Sequence, residues 1–438
     1  MNAKGYTSIP RELCYWITFL TRILPLRSQA TFVELLIGAM LTQTGFVTDA
    51  YLMLNMQRAW GTYYKWLEKG NWSWLLLARQ FTRLLLQVIN DDVYYLAIDD
   101  TVTLRASKKA PCCRIHHQHG NKPNLAQYVL GQCWVSLALV TRRENGNALA
   151  IPLLNRLVPS VSNTGKLIAA NTLVRAVFGL FKGKKVRVLV DSWFMRRVFI
   201  EAMNAHNFSV IGQVRIDTRL YDIPDKPKKK QRGRPRKYGE KYTPKRIAHL
   251  KRTTTTLLIY GKEQRVRYRS KVLKARFLNG QLVRVVWSEY YDEKKECWKP
   301  ARLLLSTEIT QTPEEVIESY GLRWSIEGMF NQLKLAWGLK EAWQQTRRTL
   351  NRWVHLTMIG YGLMQLLTLV NSEEVDQLCR HSPWRKEGTK TAGHIRKGLV
   401  SIFRHVDVRR WWNKKRQIFE PPNCGNNSII EKYSAKAA

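Results

Sequence analysis

The spacing of apolar positions changes three times along the chain, and each change predicts a different kind of element. From about residue 10 to 90, apolar and aromatic side chains recur every three or four positions, the helical period. Thr31 with Glu34 three residues on predicts a capped start for FVELLIGAML, and TQTGFVT breaks the pattern at Gly45. Aromatics then continue at helical spacing through Trp60 and Tyr64, and a further helix is expected from about Trp74 to Ile89. At residue 92 the character switches. VYYLAI (93–98), VLGQCWVSLALV (129–140) and ALAIPLL (148–154) are apolar, β-branched runs and predict three strands, the first ending on Asp99-Asp100-Thr101. A helix (about 168–181), the buried strand VRVLV (186–190) ending on Asp191, the helix WFMRRVFIEAMNAH and the strand FSVIGQVR follow. Helices between apolar strands describe an α/β domain with carboxylates at two strand ends.

Residues 222–246, DIPDKPKKKQRGRPRKYGEKYTPKR, are too basic and too rich in Pro and Gly to pack, and predict an arm. TTLLIY, QRVRYR, LVRVVWSEYY and WKPARLLLS then alternate like antiparallel strands with one wet face. Thr312-Pro313-Glu314-Glu315 supplies an N-cap, a first-turn proline and an acidic first turn, opening helix that runs to about 370. The stretch Trp353–Val370 is apolar, but His355, Gln365 and two glycines make it a buried helix and not a membrane span. After about 380 the chain is basic and weakly patterned.

Composition sharpens the picture in one respect above all. The 438 residues hold 72 Lys and Arg against 33 Asp and Glu, a net charge of +39. The hydrophobic fraction of 45% supports real cores and excludes a wholly disordered basic chain. Charge of this size calls for a polyanion, with nucleic acid first and an anionic membrane face second. Seven scattered cysteines form no CxxC pair, and the N-terminus has no basic-then-apolar signal segment, so a reducing, cytoplasmic setting is expected.

The chemistry lies in acids on separate elements. Tyr320, Arg323, Glu327 and Lys334 share one face of the expected helix at about 100° per residue. A solvated charged stripe would explain them alone. Asp100 and Asp191 add two further carboxylates, and phosphodiester chemistry with two hard ions, Mg²⁺ or Mn²⁺, needs such an oxygen-donor set. Arg323 and Lys334 then serve as phosphate clamps, with Tyr320 hydrogen-bonding the DNA backbone.

The segment YGLRWSIEGMFNQLK, with IDDT at 98–101 and VDSW at 190–193, resembles the signature motifs of bacterial insertion-sequence transposases of the DDE type, in the hairpin-type, cut-and-paste group marked by Tyr, Arg, Glu and Lys. The resemblance spans about residues 92 to 370. It implies an α/β fold with an RNase H-like catalytic core (91–215 and 307–375), interrupted by a β-rich insertion (216–306, arm 222–246). An all-helical N-terminal domain (1–90), expected to bind DNA, would precede it, and a basic tail (376–438) would follow. It also implies catalytic, metal-holding Asp100, Asp191 and Glu327, with Asp100 preferred to Asp99 because it directly precedes Thr101. The implied partners are double-stranded transposon ends and target DNA held by a homodimer in a bacterial, nucleoid-associated setting. In relatives the insertion can carry an aromatic that stacks on a flipped base; Trp287 and Trp298 are the candidates here, each also explicable as sheet packing.

Two further segments bear on DNA and metals. Arg232 and Arg234 in RGRP resemble a hook for the narrow A·T minor groove, or else form a basic loop that holds phosphate. Cys112, Cys113, His116, His117 and His119 lack paired zinc-ligand spacing, and a turn near the core is the expectation. The competing readings are a transposase, a catalytically silent DNA-binding derivative, and a nuclease on the same fold. Terminal repeats, target preference and hairpin formation are not encoded legibly.

Overall fold

The computed structural model describes residues 8–117, 126–159, 163–225, 235–380, 389–422 and 424. The chain opens with α1 (Arg11–Thr21), α2 (Leu26–Leu41), α3 (Val47–Met53), α4 (Trp60–Lys69) and α5 (Trp74–Val88). In α5, Ser73 caps the Leu76 amide, and Leu77, Ala78, Phe81, Leu84 and Leu85 are buried at three- and four-residue spacing. The capped start expected at Thr31 is not there. α2 begins five residues earlier, directly after Pro25, and Thr31 lies inside it. Glu34 is buried and serves another purpose: it accepts from Tyr63 at 2.9 Å and pairs with Arg409 at 2.7 Å, tying the C-terminal segment to α2.

Next come β1 (Val93–Leu104), β2 (Arg114–His117), β3 (Tyr128–Arg142), β4 (Ala148–Leu157), α6 (Asn163–Val177), β5 (Lys185–Val190), α7 (Arg197–Ala205) and β6 (Ser209–Val214). They are followed by β7 (Leu220–Tyr221), α8 (Pro244–Ala248), β8 (Thr253–Ile259), β9 (Lys262–Ala275), β10 (Gln281–Asp292), β11 (Cys297–Trp298) and β12 (Arg302–Ser306). The chain ends in helices α9 (Pro313–Leu322), α10 (Ser325–Ala336), α11 (Arg347–Leu367), α12 (Glu373–Cys379) and α13 (Ala392–Phe403).

One mixed sheet runs through the molecule in the order β2-β3-β1-β5-β6-β12-β10-β9-β7, with β4 also on β3 and β8 on β9. β1 pairs antiparallel with β3 and parallel with β5, and β5 is parallel to β6. The strands after β6 are not a separate layer. β12 pairs antiparallel with β6, Leu305 opposite Gly212, so the residue 216–306 segment prolongs the same sheet. α9, α10 and α11 pack on the sheet, α2 and α5 pack on α11, and one continuous apolar core joins all of them. The first helices are thus built into the body of the fold, because most of their surface is apolar. α11 is buried by this packing, as its sequence implies, and among the described residues no helix is long and apolar enough to cross a membrane.

Candidate active site

The parallel register of β1 and β5 sets up the site. It ends at Ile98 opposite Val190, so the next residue on each strand is an aspartate, Asp99 and Asp191. β1 itself does not stop there, although the apolar run alone predicts a strand ending on Asp99-Asp100-Thr101. It continues to Leu104 on β3, which places Asp99 and Asp100 in mid-strand. Successive side chains of a strand point to opposite faces. Asp99 therefore turns towards α9 and α10, and Asp100 towards α6.

Asp191 is held by the turn that follows β5: its Oδ1 accepts from the amides of Trp193 (2.9 Å) and Phe194 (3.2 Å). Burial raises its pKa. Asp99 is pushed up to about 7, first by burial and then by the negative charge of Asp191 beside it. The two carboxylates form a close, partly desolvated pair that repels itself.

Arg323 supplies the positive charge. α9 is docked by Ser319, whose hydroxyl reaches Tyr95 at 3.3 Å, and Arg187 joins Tyr95 (3.2 Å) to Glu308 (2.8 Å) ahead of the helix. Thr312 caps α9 on the Glu315 amide, with Pro313 in the first turn, as the sequence predicts. The single helix expected beyond it is two. α9 ends at Leu322 and α10 starts at Ser325, the joint tightened by i to i−3 bonds such as Arg323 N–H to Tyr320 C=O at 3.1 Å. At this joint the Arg323 guanidinium is buried and bridges two acids: Nη2 to Glu327 Oε1 at 2.8 Å and Nη1 to Asp99 Oδ2 at 3.4 Å. It also lies by the rings of Tyr320 and Trp324, centroids 5.7 and 5.8 Å away. Tyr320 is buried, and burial raises its pKa. Lys334 is half-buried seven residues beyond Glu327 on α10.

The geometry thus gathers Asp99, Asp191, Arg323, Tyr320 and Glu327. Asp100, expected as the first carboxylate, turns its Oδ2 to Lys166 Nζ at 2.8 Å and to the Cys133 thiol at 3.6 Å and not to Arg323, while its negative charge still acts on Asp99 and Asp191. The motif IDDT carries no information on which of two adjacent strand residues faces the helices, and only the register with β5 does. Lys166 has no spacing relation to the motifs and gave no signal in the sequence.

The remaining candidates divide. Trp287 is 5% exposed on β10 and stacks on Tyr242 at 6.3 Å, so it is a core residue with no face to offer a base, a correction explained by alternation in a sheet covered on that side. Trp298 on β11 is half-buried, edge-on to Tyr291, with the Arg267 guanidinium 4.4 Å from its centroid. Arg232 and Arg234 lie outside the described residues, as does His119. His116 faces the Gly131 carbonyl and His117 faces Gln127, so both join the edge of the sheet. An aromatic pair not foreseen, Tyr260 and Trp324, stands exposed edge to face at 6.2 Å beside a cleft of about 170 Å³ next to the α9–α10 joint.

The donor set suits a hard divalent cation: carboxylate oxygens, two of them adjacent and disfavoured as a bare charged pair. Among the described residues no three acid, His or Cys side chains are already drawn around one metal-sized point, because Glu327 is turned to Arg323.

No curated protein matches the chain. The family model described as DDE superfamily endonuclease matches residues 22–272, more than half of the chain, including both aspartate motifs and ending before Glu327. The matched stretch begins within the first helices and carries the parallel β1–β5 register that sets Asp99 beside Asp191, so the chain belongs to the DDE superfamily endonucleases.

Proposed function

We propose that this chain is a cut-and-paste DNA transposase of the Tyr-Arg-Glu-Lys group, cleaving transposon ends and joining them to target DNA. The observation that carries the reading is Arg323 linking Glu327 to Asp99, with Asp191 as the next residue in register. An RNase H-like core fits the order β4-β3-β1-β5-β6, antiparallel on one side of β1 and parallel on the other, with residues 216–306 as an insertion that extends the sheet. The first carboxylate in this reading is Asp99, not Asp100.

Asp99, Asp191 and Glu327 would hold two Mg²⁺ ions, with Mn²⁺ able to substitute, and the ions would supply activation of a water and charge neutralisation at the leaving oxygen. The chain's own residues do the rest. Asp99 must lose its proton to act as a ligand, and DNA binding must draw Arg323 off Glu327 towards a phosphate, freeing that carboxylate. Tyr320, buried beside Arg323, fixes the guanidinium's position and aims its hydroxyl at the DNA backbone. Lys334 adds a second phosphate contact along α10. The freed 3′-hydroxyl then becomes the nucleophile in the same site, and two ends require a dimer. The basic surface, the 222–246 arm with Arg232 and Arg234, and Trp298 hold DNA; the first helices contribute Lys65 and Arg83 on their exposed faces, and the connection between α3 and α4 contributes Arg58.

The test uses DNA flanking the coding sequence. Glu327→Gln binds it with near wild-type affinity and does not cut it in Mg²⁺. Asp99→Asn is equally inactive. Cutting by either variant overturns the assignment, and binding without cutting by the wild type favours a silent derivative.

A further inference from the structure

Asp100 and Lys166 form a second charged cluster on the α6 side of the aspartate pair, and the cleavage reading leaves it without a role. Lys166 stands in the first turn of α6. Its ammonium is 2.8 Å from Asp100 Oδ2 and 5.1 Å from the centroid of Trp193. The Trp193 amide is one of the two that hold Asp191. Asp100, Lys166, Trp193 and Asp191 are therefore a connected path that ends on the carboxylate pair from the side opposite Arg323. Burial works against the ammonium, but Asp100 first and Asp191 after it outweigh that, and its pKa is raised, so it is charged at neutral pH. The Lys166 side chain is 22% exposed, enough for an incoming anion to reach it.

Two features separate this from an ordinary ion pair. First, one oxygen of the Asp100 carboxylate is engaged twice, by Lys166 and by the Cys133 thiol. Second, the ammonium rests over the ring of Trp193, and the charge of Asp191 acts on it as well as that of Asp100. An ammonium is a compact point charge with three donors, suited to a phosphate oxygen.

We propose that Lys166 holds a DNA phosphate at the flank of Asp191, and that Asp100 is a positioning residue that sets it there. The inference rests on the cleavage site described above, but it makes its own demand on DNA binding. The DNA strand would then be gripped on both sides of the carboxylates, by Arg323 from the α9–α10 joint and by Lys166 from α6. A pair serving only to pin α6 to β1 would make no such contact.

The experiment measures binding of a duplex from the DNA flanking the coding sequence, in EDTA, across a salt series, for wild type, Lys166→Met and Lys166→Arg. Loss of one phosphate contact makes the slope of log affinity against log salt shallower by about 0.9 in Lys166→Met, and Lys166→Arg keeps the wild-type slope. A wild-type slope in Lys166→Met overturns the proposal, whether or not its melting temperature falls. In Mg²⁺, Asp100→Asn should cut more slowly at an unchanged Mg²⁺ midpoint. A shifted midpoint would make Asp100 a metal ligand and overturn its positioning role. If no protein cuts at all, the cleavage reading fails, while the salt slope still decides the role of Lys166.

Discussion

At the scale of single residues, Asp99 is under the most tension. Its pKa near 7, against an ordinary value of 3.8, means that the folded chain holds a proton there that the unfolded chain has already lost. Between about pH 4 and 7 the native state binds more protons, so this group makes stability fall as pH rises through that window. Asp99→Asn removes the contribution. The variant should be more stable than wild type at pH 7.5, by an amount on the order of a few kcal/mol, and indistinguishable from it near pH 4; denaturant midpoints at the two pH values check this. A wild-type protein that gains as much stability as the variant over that window would show that Asp99 is not the titrating group. The same residue marks the limit of what sequence can say. The two aspartate motifs and the Tyr, Arg, Glu and Lys positions were all legible as a set. Which of Asp99 and Asp100 looks at Glu327 was not, because neighbours on a strand differ only in the face they meet. Lys166 was invisible for a related reason: its partner is set by folding over 66 positions, not by spacing.

At the scale of elements, several of the predicted strands and helices appear close to where periodicity put them, and the misses have physical causes. Thr31 failed as a cap because Pro25 starts the helix earlier. The break between α9 and α10 escaped notice because Arg323 and Trp324 both keep right-handed helical backbone, and Gly321 in the last turn of α9 is a single glycine of the kind a continuous helix tolerates. Trp287 and Trp298 lie on neighbouring strands, but Trp287 sits in the apolar run LVRVVW and is core, while Trp298 follows the charged turn DEKKE and is half-buried. Trp298→Ala should leave the melting temperature unchanged and weaken DNA binding by about 1–3 kcal/mol if a base stacks there. Trp287→Ala should lose stability by about 3–5 kcal/mol.

A basic residue can also be an internal fastener. Arg352 is 2% exposed on α11 and donates to the carbonyls of Leu67 (2.8 Å) and Gly70 (2.7 Å), where α4 ends. These are the orphan acceptors of a helix terminus. Arg352→Ala should lower stability by about 3 kcal/mol or more, and Arg352→Lys should recover only part, since one ammonium cannot span the fork; melting curves of the three proteins test it. Part of the +39 charge is therefore structural, and charge counting alone overstates the surface available to DNA.

At the scale of the whole molecule, the decisive fact is that the sheet does not stop where the β-rich segment begins. The family resemblance marked residues 216–306 as an insertion, with the basic, Pro- and Gly-rich run 222–246 inside it. The pairing of β12 with β6 ignores that boundary, and long-range pairing of this kind leaves no local trace. Core and insertion should consequently unfold in one calorimetric transition. Two transitions would show that they are independent bodies.

That continuity has a mechanical meaning. β9 has 14 residues, about 45 Å of strand, and lies across β10 and β12 from the interior strand β6, which in turn lies about 5 Å from β5. A sheet of this kind behaves as a beam clamped at one end: hydrogen bonds resist shear, and a push at the free end arrives at the clamp as torque and is not dissipated at a hinge. The clamp here is β6 against β5, the strand that delivers Asp191. Tension in DNA pulling on the outer strands would thus be felt as a rotation of that aspartate, with the strand ladder as the lever.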